Sequence, residues 1–153
     1  LLRCQRGCAG MNEDVVKKWI LKAENDLKTG KDEQASSNPA TDMVCFHMQQ
    51  CVEKYLKAFL ILHGREISKT HNITFLVRQC MGIDEAFGNL PEDDLDSLTD
   101  YAVEVRYPDD FYMPSFSEAG KAIEIAEFAK RFVREKLGFE GVSKAMNNKE
   151  ETG

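Results

Sequence analysis

His47, Gln50, Glu53, Lys54 and Lys57 recur at three- and four-residue spacing, so a helix would carry them along one flank. They supply an imidazole that titrates near neutral pH, a carboxamide that donates and accepts, a carboxylate and two ammonium groups. Ammonium groups can meet phosphate, and an amide can bond a base or a ribose edge. The set therefore has the makings of a polar groove for a nucleotide. The structural alternative is a solvated face, with a Glu53–Lys57 pair worth only about 0.2–0.5 kcal/mol. A second chemical point is Arg106-Tyr107-Pro108-Asp109. A guanidinium there presents a planar fork suited to phosphate. Its structural alternative is pairing with Asp109 or Asp110 while neutralising the end of a helix dipole.

These groups need helices to hold them. Val44, Met48, Cys51, Val52, Tyr55, Leu56, Phe59 and Leu60 form the apolar stripe of the same segment. That segment should run from the Asn38-Pro39 turn to His63 and stop at Gly64. Before it, residues 13–29 place Val15, Val16, Trp19, Ile20, Ala23 and Leu27 on one side, with Gly30 as the expected stop. Thr70 should cap a short helix from His71 to Cys80. Pro91 and the acids after it suit a fourth start, with an end near Arg106-Tyr107 because Pro108 cannot continue the ladder. Ser115-Phe116-Ser117-Glu118 has capping-box spacing and opens an alanine-rich fifth helix. No strand alternation competes. The pattern predicts an all-α protein, an antiparallel up-and-down bundle of four long helices plus a short one.

Composition bounds the possibilities. The 153 residues suffice for one domain with an adequate core. A formal net charge of −6 argues against broad, sequence-independent binding to a phosphate backbone, so DNA is not an expected partner. It leaves room for a local basic pocket. Apolar runs fall well short of the ~20 residues that span a bilayer, so no membrane association is expected. The five cysteines include no C-x-x-C pair; Cys45, Cys51 and Cys80 sit at core-like positions, and reduced thiols in the cytoplasm fit them. Neither a metal nor a cofactor is expected. Residues 1–10 read as a leader outside the fold, 11–140 as the bundle and 141–153 as a disordered tail.

The run from Cys45 to Ala58 resembles the second helix of HEPN domains, which are small prokaryotic helical bundles. The likeness extends to Trp19, Ala23 and Asp26-Leu27, then to Gly64, Lys69-Thr70-His71-Asn72-Ile73, Tyr101 and Arg106-Tyr107-Pro108-Asp109, over about residues 12–137. It implies a homodimer with two copies of Arg106 bordering a groove. It also implies a minimal nucleotidyltransferase as partner in a toxin–antitoxin-like pair, with this chain as the nucleotide-binding or toxin component. The binding residues would be Arg106, Tyr107 and Asp109 together with His47, Gln50, Glu53, Lys54 and Lys57. Catalytic members of the family place a histidine four to six intervening residues after the arginine. Here those positions hold Phe111, Tyr112 and Met113, none of them a base near neutral pH. The alternatives are a metal-independent RNA endonuclease using Arg106 with a non-standard base, such as His47 or His71, or a non-catalytic interaction module. Tyr112 is the nearest loop tyrosine for modification by a partner.

Overall fold

The computed structural model describes residues 4–102 and 112–138, with side-chain surroundings over 12–101 and 112–138. Five α-helices follow one another: α1 (Cys4–Gln34), α2 (Thr41–Leu62), α3 (Ile73–Met81), α4 (Glu92–Thr99) and α5 (Phe116–Leu137). Among the described residues there is no strand. The all-α bundle holds. Helix α2 lies at its centre, antiparallel to α1 and parallel to α5, with α3 and α4 closing the remaining side.

Glycine explains the largest correction to the predicted boundaries. Helix α1 begins before Glu13 and runs through Gly30 to Gln34. Gly30 is buried where the first two helices touch. A Cβ there would stand 2.3 Å from Met48 Cε, with His47 Cβ and the Val44 carbonyl oxygen at 3.5 Å. Its missing side chain serves close approach, not termination. Gly64 does what the sequence predicts, turning the chain after α2 at φ +71°.

Local hydrogen bonds set the other ends. Asn72, not Thr70, caps α3, its Oδ1 accepting from Phe75 N at 2.9 Å. Thr70 Oγ1 accepts from Asn72 N one step earlier, at 3.1 Å. Helix α4 keeps Glu92, Asp93 and Asp94 in its first turn but is short; a 3-10 turn, Asp100–Ala102, replaces the expected run toward Arg106. A further 3-10 turn, Glu85–Asn89, had no clear sequence signal. Ser115 caps α5 as predicted, accepting from Glu118 N at 3.0 Å, and Gly138 ends it at φ +70°.

The core follows the apolar periodicity. Val16, Ile20, Ala23 and Leu27 of α1 meet the Val44–Met48–Cys51–Tyr55 side of α2, and Ala119, Ala122, Ala126 and Ala129 let α5 lie close. Phe59, Phe87 and Phe132 stack across the far end, with ring centroids 4.4 and 5.1 Å apart in sequence. Cys45, Cys51 and Cys80 are buried, and burial pushes the Cys45 thiol up to about 11 and Cys80 to about 12. These thiols are packing groups and not nucleophiles. No helix among the described residues is long and apolar enough to cross a membrane.

Candidate functional site

Helix α2 presents its polar flank to two neighbours, and that divides the predicted set. Toward α1, Asp26 holds both His47 and Lys54. His47 Nδ1 lies 2.8 Å from Asp26 Oδ1, and Lys54 Nζ pairs with Asp26 Oδ2. His47 also meets the Phe46 ring edge-on, with centroids 5.6 Å apart. Toward the loop before α3, Glu53 becomes the hub. Lys57 Nζ donates to Glu53 Oε1 at 2.7 Å, Gln49 Nε2 to Glu53 Oε2 at 2.8 Å, and His71 Nδ1 lies 3.0 Å from Oε2. Gln50 joins this network indirectly, donating from Nε2 to Gln49 Oε1 at 2.6 Å.

Burial is the unexpected property. A solvated Glu53–Lys57 pair was one expectation; the pair exists but is enclosed, Glu53 at 4% and Lys57 at 6% exposure. Gln49 is fully buried beside them. The Lys57 ammonium sits 6.0 Å from the centroid of the Trp19 ring, which covers it from α1. Removing a carboxylate from water disfavours its charged form. For Glu53, bonds from Lys57, Gln49 and His71 outweigh that burial and hold its pKa below the ordinary carboxylate value.

The five flank residues thus do not point into one open groove. Lys54 and Lys57 are each neutralised by a carboxylate of the same chain, which leaves little charge for phosphate. Arg106, Tyr107 and Asp109 lie outside the described residues. Of the tyrosines placed near them, Tyr101 is partly buried and pushed up to about 12 by that burial. Tyr112 is half exposed and donates to Glu118 Oε1 at 2.5 Å, a contact that raises its pKa. Phe116 is exposed, as its place beside the loop suggested.

Sequence reasoning passed over Asp26, Gln49 and Glu24 as site-forming groups. Glu24 anchors a third network, accepting from the Tyr55 hydroxyl and from Lys130 at 2.9 Å, with Arg134 at 3.3 Å. Only Gln49 had a local signal, its place beside Gln50. A separate cleft of about 220 Å³ between α3 and α4, lined by residues such as Val77, Arg78, Met81 and Leu95, borders none of the predicted residues. No group of three or more His, Cys, Asp and Glu among the described residues is placed to hold a metal.

Comparison with known proteins agrees with the fold. Residues 16–136 match the HEPN domain family. A candidate toxin of Methanocaldococcus jannaschii is 30% identical over 158 residues, an alignment that takes in 88% of this chain and 98% of that protein. Among solved structures, an archaeal HEPN homologue matches with a TM-score of 0.58 and 27% identity, covering 80% of this chain and 97% of the other.

Proposed function

This chain belongs to the HEPN domain family, and we propose that it acts as the toxin-like member of a pair completed by a minimal nucleotidyltransferase. The observation that carries this reading is the nearly end-to-end match to a candidate toxin, 98% of whose length is covered. The active form in this proposal is a homodimer in the cytoplasm. Nucleotide or RNA phosphate would meet Arg106, with Tyr107 and Asp109 beside it. Lys54 and Lys57 contribute less, because Asp26 and Glu53 already hold them. Tyr112, exposed next to α5, is the tyrosine that a partner enzyme would reach for modification.

The test is co-expression. A tagged chain should copurify with the nucleotidyltransferase encoded beside it, and the partner should relieve any growth defect the chain causes alone. Absence of both copurification and relief overturns the pairing.

A second reading, RNA cleavage with a non-standard base, is favoured by one specific observation. Each of two histidines, His47 and His71, is held at Nδ1 by a carboxylate. That arrangement fixes an imidazole's orientation and leaves the opposite nitrogen to exchange protons.

A further inference from the structure

We infer that His71 is the proton-transfer group of a phosphodiester-cleaving site on the loop between α2 and α3, and that Glu53 is its positioning residue. The inference rests on the second reading above and names its base.

His71 is better built for this than His47. Its side chain is 63% exposed, whereas the Glu53 carboxylate that holds it is 6% exposed. His47, by contrast, is 23% exposed and shares Asp26 with Lys54. The support behind His71 is complete. Glu53 bonds Nδ1, Lys57 and Gln49 fix Glu53, and Gln49 Nε2 also donates to the His71 carbonyl at 3.2 Å. One amide thus ties both the backbone of His71 and the carboxylate that aims its ring. With Nδ1–H donating to Glu53, the neutral ring presents an Nε2 lone pair, and Nε2 has no partner among the described residues. A packing histidine needs none of this.

Charge on the same loop is also suited to phosphate. Arg65 and Lys69 are exposed and have no carboxylate partner among the described residues, unlike Lys54 and Lys57. Glu66 is the loop's one acid, so the loop remains net positive on an acidic protein.

The step balances without a metal or a redox partner. Nε2 of His71 takes the proton of a ribose 2′-hydroxyl, and O2′ attacks the adjacent phosphorus. The P–O5′ bond breaks, water supplies a proton to the departing O5′, and the imidazolium returns its proton to water. The products are a 2′,3′-cyclic phosphate and a 5′-hydroxyl end.

The experiment uses the full chain and a single-stranded RNA oligonucleotide. Wild type should cleave it, and His71→Ala should lower the rate by about 10²–10⁴-fold, with free imidazole restoring part of the loss. Glu53→Gln should lower the rate and reshape its pH profile while cleavage still depends on His71. Wild type that leaves RNA intact defeats the second reading and this inference with it. Wild type that cleaves, with His71→Ala equally fast or inactive but unrescued by imidazole, defeats the inference alone.

Discussion

At the scale of single residues, the decisive feature is a row of charged side chains that the fold encloses. Charge at helical spacing normally means a solvated face, so Glu53 and Lys57 could be paired from sequence but not buried. Their burial depends on Trp19 from α1 and on His71, 18 residues away from Glu53, and no periodicity encodes such contacts. Lys57→Ala should destabilise the fold by about 3–5 kcal/mol, because it strands a buried carboxylate; chemical denaturation of both proteins measures this. A cost below ~1 kcal/mol would show that water reaches Glu53. The pH dependence has a definite sign. Glu53 has a folded-state pKa below its unfolded value, so its contribution is fully present above about pH 4.5 and disappears as pH falls through the lower folded value. Unfolding free energies measured from pH 7 to pH 3 should lose less in Glu53→Gln than in wild type.

At the scale of elements, apolar periodicity was the reliable signal, and punctuation was ambiguous. The α2 stripe and the alanines of α5 are buried as their spacing requires. Gly30 and Gly64 are the same letter with opposite meanings: one admits a neighbouring helix and the other turns the chain at positive φ. Sequence alone offers no way to tell a glycine facing a helix from one ending it. Gly30→Val should cost about 1–3 kcal/mol, since Met48 would have to leave its packed position. A melting temperature equal to wild type would contradict close packing there. At the start of α3, Asn72 and Thr70 are both plausible caps by type, and the choice is made by the bond to Phe75 N. Asn72→Ala should therefore cost about 1 kcal/mol. Thr70→Ala should cost less, and the two unfolding curves decide between them.

At the scale of the whole molecule, the chain order of apolar segments and breakers was enough to recognise a helical bundle, and the sequence match places it among HEPN domains. The site was less legible. It draws on Asp26, Gln49 and His71 from three different segments, and only the packing of α1, α2 and the loop before α3 brings them together. Function belongs to this scale too, because toxicity is a property of the cell that holds the protein. Growth after induction of the chain alone, in a host lacking any partner nucleotidyltransferase, tests the toxin-like role most directly. Arrest soon after induction, abolished when the partner is co-expressed, is the expected result. Undisturbed growth with the folded protein abundant would contradict it.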